Sequence, residues 1–549
     1  MKKYLKIFGV FLAVISITSY YSCETTELDL ISDPNNLPLE AANPDLLLNG
    51  VQTAFADLIQ SLGTAASEVS RLEYMYGRNY QNAYSPAYFN SEWRMAYVGV
   101  LKNIRVMAPI AEAKNLKKHT AMGQVMEAYT MVTLVDMFGD VPYSEAIDPA
   151  NLNPKLDSGA EIYTKALTLL DQAIVNFNAT TTVVPATDFY YNRNWTKWVK
   201  LANTIKMKIY LQRRKVDNTA IASFNAIVTA GSFMVAGDDF EFNWGTSNSN
   251  PDSRHPNYSL NYTPSGDNGG YEANWLMNVM KNGKSIRDPR MRYYFYRQVS
   301  VVVQNEQDTR CSVEPIPAHY FTGGHTYCII ANDQGYWGRD HGSNEGIPND
   351  RAKRTATGLY PAGGRFDGNN AAPIASLTLG ARGNGITPIL LVSTVDFWRA
   401  EAALSPGGTG DARALMLAGI QKSFTKVRGF ISRDATAVLA FVPALGDDTI
   451  YMNEAGVAYD ASPVKMNVVI KEMFVTLYGN GIDAYNAYRR TGYPLDMQPN
   501  VDPLPGGYIR SFFYPASEVS TNASVAQKSG VTTRVFWDNN PTTGFPVGN

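Results

Sequence analysis

The 549-residue chain has few of the residues on which many nucleic-acid-binding and metal-dependent proteins rely. It contains 3 cysteines and 5 histidines, and its 48 Lys and Arg residues nearly balance its 50 Asp and Glu residues, which gives a formal net charge of −2. No long block of like charge is present. Because nucleic acid and anionic lipid are bound mainly through basic patches, the sequence argues against both kinds of partner.

The short motifs of several catalytic classes are also missing. The sequence has no Gly-x-Ser-x-Gly elbow, no His-Glu-x-x-His motif and no Walker loop. The "GGTG" stretch at 407–410 lacks the Lys-Ser/Thr that follows a phosphate loop, so it is predicted to connect two helices. A glycoside hydrolase needs only two well-placed carboxylates, and the acidic residues leave that class open.

The sequence has one nearly continuous apolar run, at residues 7–17, and it follows the basic residues Lys2, Lys3 and Lys6. This run is about half as long as a membrane-spanning helix must be. A basic start before a short apolar run is typical of a signal for export.

Ser22 and Cys23 follow this run and resemble the lipobox of a bacterial lipoprotein, with Tyr20 where Leu is usual. We predict that residues 1–22 are a lipoprotein signal peptide, that Cys23 is acylated, and that residues 23–43 form a lipid-anchored tether. Each buried acyl CH₂ contributes about 0.8 kcal/mol, so several chains hold a protein firmly on a membrane that it does not cross. The alternative is an ordinary secretory signal that leaves Cys23 as a spare thiol.

Helical periodicity dominates the region 44–239. Ser158 and Glu161 have the spacing of a capping box before an amphipathic helix. Residues 124–138 are apolar nearly all round, which predicts a helix packed between neighbours and ended by Gly139. Another helix is predicted around 198–209, with three lysines on solvated faces: Lys200, Lys206 and Lys208.

A second helical region is predicted at 386–549. Residues 389–404 and 411–426 show the pattern of a helix pair, and residues 466–477 carry another apolar stripe. Helix pairs of this length are similar to tetratricopeptide stacking, although no clean 34-residue repeat is present. The fold class is therefore mainly α.

The region 240–385 between them has a different composition, because 18 of the 43 glycines fall in it together with Asn, Asp and Pro. Loops and short strands are predicted here. Since irregular segments on a rigid scaffold often carry binding residues, this region is the predicted binding region. The chain also has 33 tyrosines, which favour a contact surface, although the edge of a large core accounts for part of them.

Six short stretches follow one another along the chain. They are "QVMEAYTMVTLVDMFGDVPYSEAI" at 124–147, "DPRM" at 288–291, "FWRAEAAL" at 397–404, "LYGNGIDAYNAYRRTGYP" at 477–494, "YPASE" at 514–518 and "VFWD" at 535–538. In this order they resemble the SusD/RagB family of outer-membrane nutrient-binding lipoproteins, and the form of the fourth resembles its SusD-like second subgroup. With the lipobox they extend over nearly the whole chain.

The resemblance implies a single domain at 44–549 with tetratricopeptide-like helix pairs, held by its lipid on the outer face of the outer membrane. It implies a binder without cofactor that captures oligosaccharide, or in some relatives peptide, and delivers it to a SusC-like TonB-dependent transporter. A surface-anchored glycoside hydrolase remains the alternative. Physical reasoning gives the fourth stretch a structural role, with positive φ at Gly479 and Gly481 and with Arg489 and Arg490 tying helix ends or loops together.

The run "GYWGRDHG" at 335–342 supplies four predicted ligand contacts. Trp337 and Tyr336 offer faces on which sugar rings stack, while Arg339 and Asp340 offer donors and acceptors for hydroxyl groups. In the alternative interpretation, Arg339 and Asp340 pair internally and Trp337 fills the core.

A second aromatic segment, at 74–93, contains Tyr76, Tyr80, Tyr84 and Trp93, which do not follow one helical stripe. Of these, Tyr80, Tyr84 and Trp93 are predicted ligand contacts, and the alternative is an interface with the transporter. Trp244, together with Tyr258 and Tyr262, is a third and weaker candidate.

The two remaining cysteines, Cys311 and Cys328, are predicted to form a disulfide, because an exported chain meets an oxidising environment. His319 and His325 lie between them, so zinc is the weaker alternative; no tight Cys-x2-Cys pair supports it. Calcium has no specific motif, and the candidate ligands are two loop acids: Asp333 and Asp340.

Overall fold

Helices fill the two outer parts of the chain, and loops with short strands fill its middle. The computed structural model describes residues 42–541, except residue 78 and residues 264–269, 329–333, 344–349 and 351. Contacts group Pro44–Asn549 into one unit. Residues 1–41, which include Cys23 and nearly all of the predicted tether, lie outside the described residues.

The first helical part contains eight α-helices among its described residues. They are α1 (Pro44–Val69), α2 (Tyr80–Ala83), α3 (Asn90–Arg94), α4 (Asn103–Ala113), α5 (Lys117–Phe138), α6 (Gly159–Asn178), α7 (Trp195–Arg213) and α8 (Ala220–Ala230). The long helix α1 is largely buried. The later helices pack as neighbours, α5 on α6, α6 on α7 and α7 on α8. A 3₁₀ turn at Pro86–Phe89 and a π-helical segment at Met95–Lys102 connect the shorter helices.

Two predicted helix boundaries in this part are confirmed, whereas the helices predicted at 124–138 and around 198–209 extend over Lys117–Phe138 and Trp195–Arg213. The Ser158 hydroxyl accepts a hydrogen bond from the Glu161 N–H and the Glu161 carboxylate accepts one from the Ser158 N–H, so α6 begins with a complete capping box. Helix α5 ends at Gly139, whose φ of +82° an L-residue with a side chain rarely adopts. Nearly every residue of α5 from Ala121 onward is buried, as the all-round apolar pattern predicted.

The solvated position predicted for Lys208 is wrong. Lys208 is buried in α7, its Nζ lies 2.6 Å from Asp483 Oδ1, and it stands 4.9 Å from the centroid of the Tyr129 ring. A carboxylate on a distant helix replaces the water that the charge would lose on burial.

The described residues form three two-stranded antiparallel sheets: one lies within the first helical part, and the other two include strands of the middle part, which also contains four short α-helices. Strand β1 pairs with β2, β3 with β6 and β4 with β5. The elements are β1 (Val141–Pro142), β2 (Leu156–Asp157), β3 (Phe240–Asn243), α9 (Pro256–Asn261), α10 (Asn274–Asn282), α11 (Met291–Tyr294), β4 (Phe295–Tyr296), α12 (Ala318–Gly323), β5 (Ala356–Thr357) and β6 (Ile386–Leu390).

The second helical part again consists of pairs, with α13 on α14 and α15 on α16. The prediction that a helix includes Ile389 is wrong, because Ile389 lies in β6 and the helix begins at Val392. The helices are α13 (Val392–Ala403), α14 (Ala412–Gly429), α15 (Leu445–Ala461), α16 (Lys465–Thr476), α17 (Gly481–Thr491) and α18 (Ala516–Thr521).

Glycines at the start of α17 serve two different purposes. Gly479 has the predicted positive φ, +93°. Gly481 does not: it is the first residue of α17, and a Cβ there would lie 2.2 Å from the Ser67 N and 2.3 Å from the Gly63 O of α1. The second glycine therefore allows two helices to approach closely, a long-range requirement that the local sequence does not reveal.

Arg489 and Arg490 tie elements together inside the fold. Arg490 donates to both carboxylate oxygens of Glu401 at 2.6 and 2.7 Å, and Arg489 donates to the Arg510 carbonyl at 2.7 Å. Both arginines are buried. Within the described part of the chain, no helix combines the length and the apolar character needed to span a membrane.

Candidate functional site

Two aromatic segments that are far apart in the sequence meet in the structure. The Gly342 N–H donates to the Met75 carbonyl at 3.0 Å, and the Tyr74 N–H donates to the Tyr271 carbonyl at 3.1 Å. Two isolated bridges, one from Glu73 to Glu272 and one from Ala273 to Arg339, continue this contact. We call the surface that these loops form the four-loop face, and it comprises residues 73–77, 271–273, 339–343 and 498–506.

Two glycines let these loops approach each other. A Cβ on Gly338 would lie 2.4 Å from the Glu272 carbonyl oxygen, and a Cβ on Gly342 would lie 2.3 Å from the Asn500 side-chain oxygen. Both distances are shorter than van der Waals contact. The glycines of "GYWGRDHG" are therefore needed for loop packing.

Tyr80, a predicted ligand contact, supports the four-loop face from inside. Its ring is fully buried, and its hydroxyl accepts from Arg71 Nη2 at 2.9 Å and lies 3.1 Å from His341 Nε2. Burial, with the charge of Arg71 as a second cause, lowers the pKa of His341 well below 6.5, so its imidazole is neutral. Because protein groups surround it, the Tyr80 ring offers no stacking surface.

Trp337 and Tyr336 also turn inward. Trp337 is 2% exposed, and its Nε1 donates to Asp350 Oδ2 at 2.8 Å. Tyr336 is fully buried, and the guanidinium carbon of Arg297 lies 4.9 Å from its ring centroid. This placement corrects the stacking role predicted for both rings and follows the alternative in which Trp337 fills the interior.

Arg339 and Asp340 are buried and bind different neighbours. The Arg339 guanidinium lies 4.3 Å from the centroid of the Tyr271 ring. Asp340 accepts from the Cys328 N–H at 3.1 Å and from Gln498 Nε2 at 2.5 Å. Their polar groups therefore hold the loops in place, which corrects their prediction as direct contacts for ligand hydroxyls.

Tyr84, Trp93 and Trp244 lie outside the four-loop face. Tyr84 is buried, and its hydroxyl donates to Glu68. Trp93 is 6% exposed but lines a separate cleft of about 530 Å³. Trp244 is half-buried, with the Phe242 ring centroid 5.1 Å away. The structure thus does not bring these three predicted contacts together into one site.

The exposed aromatic ring of the four-loop face belongs to Tyr76. It is 62% exposed, and its hydroxyl has no hydrogen-bond partner among the described residues. Tyr74 and Tyr271 are half-buried on the same face, with ring centroids 5.8 Å apart. The sequence placed Tyr76 in an aromatic segment without choosing it, and it gave no sign of Tyr271, because the contact that brings residue 271 to residue 74 is long-range.

Three carboxyl groups on or next to this face have raised pKa values. Burial, followed by the charge of Glu68, raises the pKa of Glu73 to about 8, and burial raises the pKa of Glu68 to about 7. Burial and the charge of Glu73 raise the pKa of Glu272 well above 4.5, and the Tyr478 hydroxyl donates to its carboxylate at 2.9 Å. Protonated carboxyl groups donate as well as accept hydrogen bonds.

The structure joins Cys311 and Cys328 in a disulfide. A carboxylate oxygen of Asp340 lies within 4.8 Å of both sulfur atoms, but sulfurs bonded to each other are not thiolate ligands for zinc. His319 Nε2 lies 2.9 Å from the Asn500 carbonyl oxygen. The calcium candidate Asp333 lies outside the described residues.

Two family models match most of the chain. Residues 35–314 match a model described as "Starch-binding associating with outer membrane", of the SusD-like type. Residues 374–538 match a model described as "Susd and RagB outer membrane lipoprotein". No curated protein matches the sequence at significant similarity.

Solved structures share the fold. A SusD/RagB family protein from Bacteroides thetaiotaomicron has a TM-score of 0.67 and 18% identity, over 91% of this chain and 100% of that chain. A protein described as a chitin-binding SusD homolog, from Flavobacterium johnsoniae, has a TM-score of 0.62 and 19% identity, over 90% of this chain and 100% of that chain.

Proposed function

Because this chain belongs to the SusD/RagB family of outer-membrane lipoproteins, we propose that it captures glycans at the cell surface and delivers them to a SusC-like TonB-dependent transporter. In this proposal the four-loop face is where the glycan binds. Cys23 carries the lipid anchor, and residues 23–43 tether the binding domain to the outer membrane.

The exposed ring of Tyr76 is the observation that carries the glycan proposal. The C–H faces of a sugar ring pack well on an aromatic ring, and an exposed tyrosine keeps its hydroxyl available for a hydrogen bond to the sugar. The loops under Tyr76 are held by hydrogen bonds and by the buried Arg339. A ring on a fixed support loses little conformational freedom when a ligand binds.

The same face supports binding in preference to hydrolysis. A glycosidase requires two carboxyl groups on either side of one glycosidic bond. Glu272 is buried, and the Tyr478 hydroxyl donates to both of its oxygens, at 3.0 and 2.9 Å. A carboxyl group in that position serves the packing of the loops, so we propose capture without turnover.

The test is calorimetric titration of a panel of oligosaccharides, with chitin oligosaccharides first because of the chitin-binding structural relative. In the Tyr76→Ala variant we expect the affinity for the glycan to fall by about 5- to 150-fold, since loss of one stacked ring costs about 1–3 kcal/mol. The free energy of unfolding should change by no more than about 0.5 kcal/mol, because the ring is exposed.

The matched control is Tyr88→Ala, another exposed tyrosine, which lies outside the four-loop face. That variant should bind as the wild type does. If wild type and Tyr76→Ala bind the glycan with equal affinity, the glycan does not bind at the four-loop face. If the protein releases shorter products from the glycan, it is a hydrolase and the capture proposal is wrong. Copurification of a TonB-dependent barrel with the lipidated protein tests the transporter partner.

A further inference from the structure

A second cleft lies outside the four-loop face, and we call it the Arg94 cleft. It has a volume of about 530 Å³ and lies between α3, the π-helical segment 95–102, the turn 142–147 and α18. Its apolar side includes Trp93, Tyr97 and Pro142. Its polar side includes three groups of different character: Ser91, Arg94 and Glu518.

Hydrogen bonds fix the aromatic wall of this cleft. Trp93 Nε1 donates to Glu518 Oε2 at 3.0 Å, and the Tyr97 hydroxyl donates to the Pro142 carbonyl at 2.7 Å. The two ring centroids are 4.9 Å apart. Because the polar ends of both rings are already bonded, what remains for a ligand is an apolar surface in a fixed position.

Arg94 is exposed on this cleft and makes no hydrogen bond or ion pair with any residue that the structure describes. The Glu518 carboxylate is in the opposite situation: it accepts from Trp93 Nε1 at 3.0 Å and from Asn522 Nδ2 at 2.8 Å. The cleft therefore has one cation with no protein partner and one anion that protein donors already hold. A planar guanidinium that has no protein partner can donate two parallel hydrogen bonds to the two oxygens of a ligand carboxylate.

The backbone of the cleft contains a residue in an unfavourable conformation. Ile147 lines the cleft with φ +67°, a left-handed conformation that β-branched residues rarely adopt. Arg105 donates to the neighbouring Ala146 carbonyl at 3.0 Å and to the Tyr143 carbonyl at 3.2 Å, which holds this turn. Such conformations persist where the surroundings enforce them, and they concentrate at binding sites.

We propose that the Arg94 cleft binds an acidic sugar, a uronate residue of a glycan. Arg94 takes the carboxylate, the sugar ring packs on Tyr97 and on the exposed edge of Trp93, and the hydroxyl groups bind Ser91 and the free lone pairs of Glu518. This proposal rests on the proposed capture of glycans and adds a second site with a defined charge preference.

The test compares two trisaccharides by calorimetric titration at low salt: a uronate trisaccharide, and the neutral one of the same linkage in which CH₂OH replaces each carboxylate. We expect the wild type to bind the uronate at least about tenfold more tightly, and the difference to shrink as salt rises. Arg94→Ala should abolish the difference. Arg94→Lys should retain part of it, because lysine keeps the charge and loses the planar fork.

Arg413→Ala is the matched control, because Arg413 is a partly exposed arginine paired with Asp460 outside the cleft. It should leave the preference for the uronate unchanged. Thermal unfolding should show that Arg94→Ala folds as the wild type does. Equal affinity of wild type for the two sugars, or an unchanged preference in Arg94→Ala, would overturn the proposal.

Further arms separate this proposal from the capture function. If uronate binding is lost in Tyr76→Ala and kept in Arg94→Ala, the sugar sits on the four-loop face, which retains glycan capture and overturns the cleft. If acetate or an N-acetyl amino acid competes as strongly as the uronate, the site is one for carboxylates in general and the sugar assignment falls. If neither trisaccharide binds the wild type while another glycan of the panel does, the cleft proposal fails and glycan capture stands. If no glycan of the panel binds either, both proposals fail.

Discussion

The helical parts and the loop-rich middle part of this protein both bury ion pairs, but these pairs join residues at different separations in the sequence. In the helical parts, Glu401 is fully buried between two arginines of distant segments, Arg490 at 2.6 Å and Arg214 at 2.8 Å. In the middle part, a buried pair can lie within one turn, as Arg290 does with Asp288 at 2.6 Å. Aromatic rings also lie beside buried arginines there, as Tyr271 does beside Arg339 at 4.3 Å.

This difference follows from how each region is built. Helices are rigid, so a carboxylate and a guanidinium on two of them can be held at bonding distance over a long separation in sequence. Loops have no such frame, so their buried ion pairs are supplemented by close backbone contacts, ring faces and a disulfide. The exposed ring of Tyr76 belongs to a loop of the first helical part that packs against these middle loops. Loops of both parts can thus offer contacts to a ligand.

The largest expected effect comes from breaking an ion pair of the helical parts. In Glu401→Gln, two arginine side chains stay buried without their carboxylate, so we expect the free energy of unfolding to fall by about 3–5 kcal/mol. Urea unfolding followed by circular dichroism measures this change. Glycan binding by the protein that remains folded should be unaffected, because Glu401 lies outside the four-loop face.

Asp460→Asn is the control for that prediction. Asp460 pairs with Arg413 at 2.9 Å, and both side chains are partly exposed to solvent. An exposed pair contributes little, so the variant should unfold as the wild type does. Equal stability losses in the two variants would show that burial does not distinguish these ion pairs.

A smaller effect is expected in the middle part, from removal of the disulfide. Cys311 and Cys328 close a segment with a separation of 17 residues, and they pack with Val302 and Trp337 in a small cluster apart from the main core. The chain-entropy estimate gives about 3 kcal/mol for a loop of this size. The variant with both cysteines changed to serine should therefore lose amide exchange protection in residues 299–328 by that amount.

Protection in α5 and α6 serves as the internal control, because these helices belong to the main core. The amide exchange protection of these two helices should change less than that of residues 299–328. The mass of the unreduced protein provides an independent check, since the disulfide makes it lighter by two hydrogens. Two free thiols in the unreduced protein would contradict the bond.

The sequence predicted the helical frame well because helix signals are local. The capping box at Ser158 and the stop at Gly139 each depend on a few neighbouring residues, and both are confirmed. The prediction of solvent exposure failed where a partner far away in the sequence determines whether a side chain is buried. Lys208 has the pattern of a solvated residue and is buried because Asp483 meets it from another helix.

The binding face was harder to predict for the same reason. Composition predicted the binding region at 240–385, yet the four-loop face also uses residues 73–77 and 498–506, and the conspicuous residues Trp337 and Tyr80 are buried. An aromatic residue in a Gly-rich stretch gives no local sign of whether its ring points into a small core or toward water. That choice depends on which loops meet, and the contact of residue 74 with residue 271 has no sequence pattern.

The smallest expected effect concerns pH, and here a buried carboxyl group of the helical core and one of the four-loop face should respond with opposite sign. Burial opposes ionisation of Glu401, but the charges of Arg490 and Arg214 outweigh it and lower its pKa. Its contribution to stability is therefore present above about pH 4.5, the ordinary value for glutamate, and is lost as the pH falls through the lowered pKa.

Glu73 on the four-loop face should behave in the reverse way. Its pKa is about 8 in the folded protein, so between about pH 4.5 and pH 8 the folded state holds a proton that the unfolded state has released. Stability from this group therefore falls as the pH rises through that window. Relative to Glu73→Gln, which cannot ionise, the wild type should lose at least about 1 kcal/mol of unfolding free energy between pH 5 and pH 8. Parallel pH profiles for the two proteins would mean that Glu73 is already ionised at neutral pH and that the acidic groups of the face are solvated.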